Sequence, residues 1–424
     1  MVNTADDGFW LRLDNAAKIF PAVQGKELTA VFRISAELKQ AVRIRPFLEA
    51  IRAVENRFPY YKVGLKTGFF WYYLEQLDLP VRVLPDLGLP CRAFGHGELM
   101  FRVLVRDRRI SVEFSHILTD GSGGFEFLKT VLLAYFEICG SPVSPNVHYC
   151  RPGEEPAEEE FEDAYLRYFR KVRSSKLGEK RAFHLPFRLG AKPRFDLLTA
   201  VASLEEVAAK AKESGVSITE YLVAVFLFAL QGVFENLPAR AKRRAGKLLQ
   251  IEVPVNLRKL FPSRTMRNFS LFVKPGIDLR LGYYSFEEIL KMVFHQMRLE
   301  TDKKLIHKMI SRNVGGEKNP FVRVLPLFLK SFFLSRIYAI NTRSFSSVLT
   351  NYGKAELPPR ISEQIEKFIF IPPPPNKKVK INCGVIGFEE KLILCFGNLT
   401  VSKELERRFL TFLTENGISV KIKK

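Results

Sequence analysis

Two successive sets of strand and helix patterns run along the chain, and a stretch with little hydrophobic period separates them. Apolar residues that alternate predict strands, whereas apolar residues three and four positions apart predict amphipathic helices. In the first set, a helix is predicted at 45–61, and strands are predicted at 26–38, 62–76, 81–85 and 99–116, the last as a hairpin turning near Asp107. Each half therefore contains too many strands for a helical bundle, and a mixed α/β fold is predicted.

The second set begins with two helix-start signals. Ser203 and Glu206, and again Ser217 and Glu220, have the spacing of a capping box. Further helices are predicted at 285–305 and 402–417, and strands at 248–257, 268–278, 346–357, 365–372, 379–388 and 391–399. The run "IPPPPNKK" predicts a stiff connector, with recognition by a partner domain as the alternative.

The stretch between the two sets has the composition of a junction. It contains "SPVSPN" and "RPGEEPAEEEFED", which are rich in proline and acid. We accordingly predict an N-terminal half at 1–150, a junction at 151–197 and a C-terminal half at 198–424. The two halves are of similar size.

The formal charge of +21 is the strongest compositional signal. It suits an anionic partner, which could be nucleic acid, an acidic membrane surface or a phosphorylated small molecule. The basic residues are dispersed in short groups, and no zinc-finger, helix-turn-helix or RNP-like motif accompanies them, so nucleic acid is the least favoured of the three.

Location and assembly follow from what the sequence contains. The five cysteines include no CxxC pair, so neither a disulfide framework nor a metal site is indicated. The N-terminus lacks the pattern of a signal peptide, and the apolar run from Val324 to Ile340 is interrupted by charge and too short to span a bilayer. That run predicts a buried or surface-lying helix. We expect a monomeric cytoplasmic protein, with peripheral contact to an anionic membrane as an extension.

One short stretch, "SVEFSHILTDGSGG", invites a chemical interpretation. In the predicted strand His116 shares the parity of Val112 and Phe114, so its side chain should point inward. A purely structural explanation also fits, since Asp120 or Ser122 could cap the following helix and the glycines permit a tight turn. From this stretch alone, His116 is either a satisfied core histidine or a proton acceptor.

Three segments together resemble the chloramphenicol acetyltransferase-like and condensation-domain superfamily, and above all its bacterial alcohol acyltransferases. The H-x-x-x-D-G signature appears as "SHILTDG", with Ser115 where many members have a first histidine. About 140 residues downstream, "VPVNLRKLF" and "RNFSLFV" resemble a strand ending in arginine and the strand that follows it. "SVLTNYGKAEL" resembles the late strand that faces the channel. The resemblance covers nearly the whole chain in order and spacing.

The resemblance implies two chloramphenicol acetyltransferase-like half-domains that form a pseudo-dimer around a central tunnel. It implies acyl-CoA as co-substrate, with no bound cofactor and no metal. The signature residues would be His116, Asp120 and Gly121, with His116 as general base and Gly121 allowing close approach of the acyl group. Asp120 would point away and brace the loop against Arg258, or else against Arg267.

The remaining site residues are candidates for binding the oxyanion that forms when a thioester is attacked. They are Asn268, Ser270 and Asn351, on the two later segments. The predicted function is O-acyl transfer, most simply acetyl transfer, from acyl-CoA to a small alcohol or a lipid-like acceptor. Two alternatives stay open: amide or ester formation on a carrier-protein thioester, and non-catalytic binding of nucleic acid or acidic lipid by a basic protein.

Overall fold

The computed structural model describes residues 9–25, 28–172, 180–192 and 194–423. The strands in these ranges are β1 Trp10–Arg12, β2 Val31–Leu38, β3 Val63–Thr67, β4 Tyr72–Gln76, β5 Val83–Pro85, β6 Phe101–Arg106, β7 Arg109–Ser115, β8 Asp196–Ser203, β9 Leu248–Asn256, β10 Ser270–Val273, β11 Gly276–Asp278, β12 Ser347–Lys354, β13 Ile365–Ile371, β14 Ile381–Phe388, β15 Lys391–Asn398 and β16 Val420–Lys423.

The α-helices in the same ranges vary from single turns to five turns. They are α1 Phe20–Val23, α2 Ile44–Glu55, α3 Gly121–Ile138, α4 Ala164–Arg167, α5 Leu204–Glu213, α6 Ile218–Glu235, α7 Ala239–Arg244, α8 Phe286–Glu300, α9 Lys303–Lys318, α10 Pro320–Val324, α11 Leu327–Asn341, α12 Pro359–Ser362 and α13 Glu404–Glu415.

The N-terminal lobe is a five-stranded sheet in the order β13-β2-β7-β6-β5, with α2 and α3 packed together on it. The β6–β7 hairpin turns at Asp107, whose φ of 50° suits a tight turn, and this confirms the predicted hairpin. Aromatic rings fill the space between the sheet and α3, with Phe101 stacked on Phe114 at 5.2 Å and Phe127 packed edge-on against both. A small sheet of β1, β4 and β3 lies beside this lobe.

The C-terminal lobe is built on the sheet β10-β9-β12-β14-β15-β8-β16, with β11 paired to β9. The contacts β9–β12 and β12–β14 are parallel, and the others are antiparallel. Among the described residues, α6 is the one helix with the length and hydropathy of a membrane span. It is mostly buried beneath α8 and α13, so it is the core helix of this lobe. Ser217 caps α6 in the predicted capping box with Glu220.

One strand crosses between the lobes. β13 lies late in the sequence, yet it pairs antiparallel with β2 from Ile365–Leu38 to Ile371–Arg33 and so completes the N-terminal sheet. β13 also packs against β14 and β15 of the other lobe. The predicted domain boundaries stay a prediction, but the two sheets are joined by more than the junction between them.

The junction is itself tied to both lobes. Glu160 is buried and forms a paired interaction with Arg57, at 2.7 and 2.8 Å, and accepts a hydrogen bond from Tyr60 Oη at 2.6 Å. On the other side, the Glu160 carbonyl accepts from Met266 N at 2.6 Å. This segment therefore connects the N-terminal core to the loop that precedes β10.

The prediction of one uninterrupted helix at 285–305 was wrong. The structure has α8 ending at Glu300 and a new helix, α9, starting at Lys303. Asp302 is the reason, because its carboxylate accepts hydrogen bonds from Lys304 N at 2.9 Å and Leu305 N at 3.3 Å and so caps a new helix.

Glu160→Gln is expected to lower the free energy of unfolding by about 3 kcal/mol or more, because it leaves the buried Arg57 guanidinium without a counter-charge. Urea denaturation would measure the loss. Glu366→Ala is the matched control, since it breaks a partly exposed pair with Lys391 (2.6 Å) and should cost at most about 1 kcal/mol. Equal losses in the two variants would contradict the assigned role of Glu160.

Candidate active site

The site forms where β7 ends and α3 begins. His116 N continues the ladder by donating to Ala30 O at 2.8 Å, and the chain then turns through Thr119 into the helix. Asp120 is the N-cap of α3, and its Oδ1 accepts from Ser122 N at 3.1 Å and Gly123 N at 3.3 Å. The local explanation drawn from the sequence therefore holds, and it fixes the direction in which His116 leaves the strand.

The second oxygen of Asp120 bonds to the other lobe. Asp120 Oδ2 accepts from Arg258 Nη1 and from Phe269 N, each at 2.8 Å. Arg258 follows β9, and its guanidinium also donates to the carbonyls of Thr265 and Arg267. Among the described residues, the hydrogen bonds of Asp120 go to these groups and to the helix N-terminus, and none goes to the imidazole.

His116 is half-buried between two phenylalanine rings. Phe20, the first residue of α1, is stacked on the imidazole with centroids 5.5 Å apart and planes 16° apart. Phe32 of β2 lies on the ring at 4.8 Å. The apolar surroundings disfavour the charged imidazolium and limit the movement of the ring.

Asn268 determines which nitrogen of the imidazole carries the proton. Its amide nitrogen donates to His116 O at 2.9 Å and to Asp14 Oδ2 at 3.0 Å, and both of these atoms are acceptors. The amide oxygen must therefore be the atom that faces His116 Nδ1, at 3.4 Å. Since an amide oxygen only accepts, Nδ1 is the protonated nitrogen and Nε2 keeps a free lone pair.

Asp14 is buried and accepts the second hydrogen bond from the Asn268 amide. Its Oδ1 accepts from Ala17 N at 2.8 Å, and its Oδ2 lies 3.8 Å from Arg267 Nε. Burial raises the pKa of Asp14, while the charge of Arg267 and the hydrogen bond from Asn268 lower it. Arg267, the second candidate for bracing Asp120, thus lies beside Asp14.

The protonation of His116 follows from its surroundings. Burial lowers its pKa below the ordinary value, and the charge of Asp120 and the hydrogen bond with Asn268 offset part of this effect. The imidazole is therefore neutral at pH 7. A neutral imidazole with a free Nε2 is the state that a general base requires.

Two glycines near the turn differ sharply in the space around them. A Cβ on Gly121 would make ordinary contacts, 3.8 Å from the Phe370 ring and 3.9 Å from Tyr352. A Cβ on Gly123 would overlap Met266 O and Thr119 Oγ1 and come within 2.6 Å of Tyr61 Oη. Gly123 is therefore the glycine that the packing of the turn requires, and the predicted role of Gly121 in the approach of the acyl group stays a prediction.

The other two oxyanion candidates, Ser270 and Asn351, form their hydrogen bonds with described residues other than His116. The Ser270 backbone exchanges hydrogen bonds with Tyr165 Oη, at 2.9 and 2.6 Å, while its own hydroxyl makes none in the described part of the chain. Asn351 donates to Thr219 Oγ1 at 3.0 Å and accepts from Gly353 N at 2.9 Å. Asn268 has both amide hydrogens engaged, which favours a role in orienting His116. The oxyanion assignments stay predictions.

Sequence reasoning did not find Asp14, Phe20 or Phe32 as parts of the site. Asp14 lies 254 positions from Asn268, so no local pattern connects the two. One signal was present: Asp14 is an acid within "FWLRLDNAAKIF", an otherwise apolar and basic segment. The described residues contain no group of three or more histidine, cysteine or acidic side chains placed to hold a metal ion.

Known proteins resemble the chain in structure and not in sequence. No protein-family model matches it, and no curated protein sequence does. Solved structures match along nearly the full length. TRI101 of F. sporotrichioides, determined with coenzyme A and T-2, superimposes with a TM-score of 0.65 at 10% identity, covering 98% of this chain and 100% of its own.

Two further structures have the same architecture. TRI3 trichothecene 15-O-acetyltransferase of Fusarium sporotrichioides gives a TM-score of 0.61 at 10% identity, covering 98% of this chain and 96% of its own. The first condensation domain of the calcium-dependent antibiotic synthetase, solved with a substrate analogue, gives 0.62 at 12% identity, covering 98% and 100%. The predicted two-lobed α/β fold is thereby confirmed, since these acetyltransferase and condensation-domain structures have it along their whole length. The central tunnel stays a prediction.

Gly123→Ala is expected to destabilise the protein by about 2 kcal/mol, because the added methyl group meets backbone and a buried hydroxyl that cannot withdraw. Gly121→Ala is the matched control on the same helix turn and should be neutral or slightly stabilising, as alanine favours helix. Thermal unfolding of both variants would measure the difference. A loss in Gly121→Ala as large as that in Gly123→Ala would contradict the assigned packing.

Proposed function

We propose that this protein is an O-acyltransferase that transfers an acyl group, most simply acetyl, from acyl-CoA to an alcohol, with His116 as the general base. The observation that carries the proposal is the state of His116. Its Nδ1 faces the amide oxygen of Asn268, which leaves the lone pair of the neutral imidazole on Nε2, and its pKa is lowered by burial.

The proposed reaction needs few protein groups. His116 Nε2 takes the proton of the acceptor hydroxyl while the oxygen attacks the thioester carbonyl, giving a tetrahedral oxyanion. Collapse of this intermediate reforms the carbonyl and breaks the carbon–sulfur bond. The departing thiolate takes the proton back from the imidazolium, so the histidine ends as it began.

The oxyanion requires a hydrogen-bond donor. Of the three candidates, Ser270 has a hydroxyl without a described hydrogen bond, whereas the amide hydrogens of Asn268 are engaged. We therefore place Ser270 first, with Asn351 next. Asp120 would act by holding the turn, since its carboxylate is already committed to Arg258 and to backbone N–H groups.

Coenzyme A as donor is supported by the structural neighbours and by charge. TRI101 was solved with coenzyme A, and TRI3 is described as an O-acetyltransferase. The net charge of +21 would attract the phosphates of such a donor. We propose a cytoplasmic monomer with no bound cofactor, which acts on a small alcohol or a lipid-like acceptor.

Condensation on a carrier-protein thioester is the second candidate, because a condensation domain matches the chain as fully as the acetyltransferases do. A binding assay that compares acyl-CoA with an acyl-loaded carrier protein separates the two. Saturable binding of acyl-CoA and none of the carrier protein is expected. The reverse result would replace the proposed donor.

His116→Ala is expected to reduce thiol release from acetyl-CoA, measured with a panel of alcohols, by a factor of about 10² to 10⁴. His295→Ala is the matched control, since His295 is an exposed residue of α8, and it should keep full activity. Circular dichroism would show that both variants are folded. Full activity of His116→Ala would overturn the mechanism, and thiol release that no alcohol stimulates in the wild type would favour a non-catalytic basic protein.

The rate is expected to fall as pH decreases through the pKa of His116, because protonation removes the base. Since burial lowers that pKa, the acid limb of kcat/KM should have its midpoint below the ordinary histidine value of about 6.5. The hydrogen bond with Asn268 raises the pKa of His116. Asn268→Ala removes that bond, so the midpoint of the acid limb should shift to a still lower pH. A pH profile with an acid limb above 7 would contradict this assignment.

A further inference from the structure

Helix α11 presents its apolar side to the outside. Phe328, Phe332, Phe333, Ile337 and Ile340 recur at helical spacing and are each between 48% and 72% exposed. Residues three and four apart are neighbours on a helix surface, as Phe328 and Phe332, Phe333 and Ile337, and Ile337 and Ile340 are, so these side chains form a continuous apolar surface. A helix on the surface of a globular protein normally buries such a stripe.

The inner side of the same helix carries a charge. Lys330 is 3% exposed, and its Nζ donates to Phe70 O at 3.0 Å and Arg323 O at 3.1 Å while lying 3.6 Å from the centre of the Trp71 ring. Burial lowers the pKa of Lys330. Two carbonyls and an aromatic face stabilise this ammonium, and they fix the helix with its charge inside and its stripe outside.

The apolar surface extends beyond α11. Phe321 and Val324 of α10 are exposed beside it, as is Phe69, whose carbonyl accepts from Leu327 N at 2.9 Å. We call this surface, from Phe69 and α10 along α11, the α11 patch. Contiguous exposed apolar patches of this kind mark interaction sites. The longer stretches outside the described residues, "MVNTADDG" and "RSSKLGE", are too polar in sequence to cover it.

The charges around the α11 patch are almost all positive. From Pro320 to Arg343, the segment that contains α10 and α11, the exposed charges are Arg323, Arg336 and Arg343, and the segment has no acidic residue. An apolar stripe bordered by cations is the pattern of a segment that lies in the interface of an anionic bilayer. A symmetric dimer through the same face would bring these cations together, which disfavours a second copy as the partner.

A basic cavity adjoins the C-terminal end of α11. It has a volume of about 450 Å³, and the residues that line it include Arg181, Arg343, Lys378 and Lys380. Arg343 directly follows Thr342, the C-cap of α11. In the part of the chain that the structure describes, no carboxylate forms an ion pair with Arg181, Arg343 or Lys378.

This basic cavity is separate from the histidine site. Ala182 bridges to Leu248, at the start of β9, whereas Asn256 at the end of β9 bonds to Ser122 beside Asp120. Nine strand residues span roughly 26 Å. The cavity and His116 therefore lie near opposite ends of β9.

We propose that the α11 patch docks on an anionic phospholipid bilayer, with its phenylalanines in the headgroup region and the basic cavity receiving a lipid phosphate. The apolar stripe supplies hydrophobic burial, and the cavity supplies preference for negative charge.

The docking surface adjoins the histidine site through one short helix. α11 packs on α1, where Ser335 Oγ donates to Ala22 O at 2.7 Å, and Phe20 of α1 stacks on His116. A protein docked in this way would bring α1, and with it the Phe20 ring that covers His116, close to the membrane. The acceptor would then be a membrane-resident, lipid-like alcohol, an extension that rests on the proposed function.

Vesicle co-sedimentation tests the docking. The protein should bind phosphatidylcholine vesicles that contain phosphatidylglycerol and bind pure phosphatidylcholine at least about tenfold more weakly, with binding that weakens as salt is added. Phe332→Ser with Phe333→Ser should reduce binding at least about tenfold. These side chains are exposed, so folding should be unaffected.

Two further variants make the test specific. Ile422→Ser is the matched control, because Ile422 is 60% exposed on β16, at the opposite edge of the C-terminal sheet from β9 and β10, and it should bind like the wild type. Arg343→Gln with Lys378→Gln should remove most of the preference for anionic vesicles. Equal binding to both vesicle types, or unchanged binding of the phenylalanine variant, would overturn the proposal. So would a dimer in solution that the phenylalanine variant dissociates, since the partner would then be a second copy.

Activity assays separate this proposal from the proposed function. The phenylalanine variant should keep transfer to a short, water-soluble alcohol and lose transfer to a long-chain alcohol held in vesicles. His116→Ala should bind vesicles normally and transfer to neither alcohol. If the wild type binds anionic vesicles but transfers to no alcohol, the proposed function fails and the docking stands.

Discussion

The Asp120 carboxylate is the interaction on which the site depends. One oxygen caps α3 through Ser122 N and Gly123 N, and the other binds Arg258 and Phe269 N of the opposite lobe. A single side chain thus fixes the turn after β7 and attaches it to the loop that carries Asn268. Since the position of the imidazole is set by that turn and its tautomer by that loop, both depend on the same carboxylate. Asp120 can therefore determine the geometry around the histidine without touching it.

Predictions based on local chemistry agreed best with the structure. The alternation of β6 and β7 gave the hairpin at Asp107, and the spacing of Ser217 and Glu220 gave the start of α6. The break between α8 and α9 was also readable in principle, because aspartate is a preferred N-cap residue and Asp302 lies at this point, but the long apolar period concealed it. The arrangement of His116 beside Asn268 could be predicted only through resemblance, as 152 residues separate the two.

The remaining features depend on contacts that sequence patterns do not encode. Asp14 reaches Asn268 because the segment after β1 lies against the loop that precedes β10, where Arg267 also donates to Arg12 O, and no spacing in the sequence indicates this contact. The sequence also could not show which face of α11 is exposed. Its sequence is apolar on most sides, so periodicity could not tell which face is covered. The position of Lys330 became informative only when Phe70 O, Arg323 O and the Trp71 ring were seen to surround its ammonium.

The basicity of His116 also depends on the joining of the two lobes. Two carboxylates, Asp120 and Asp14, act on the imidazole, and each alone would raise its pKa and favour the charged form. Each has an arginine beside it, Arg258 at 2.8 Å and Arg267 at 3.8 Å. Both arginines come from one loop of the C-terminal lobe. With the acids compensated, burial dominates and the imidazole stays neutral. The same loop that supplies Asn268 therefore both orients the imidazole and keeps it unprotonated, so the neutral state that the proposed mechanism requires depends on contact between the lobes.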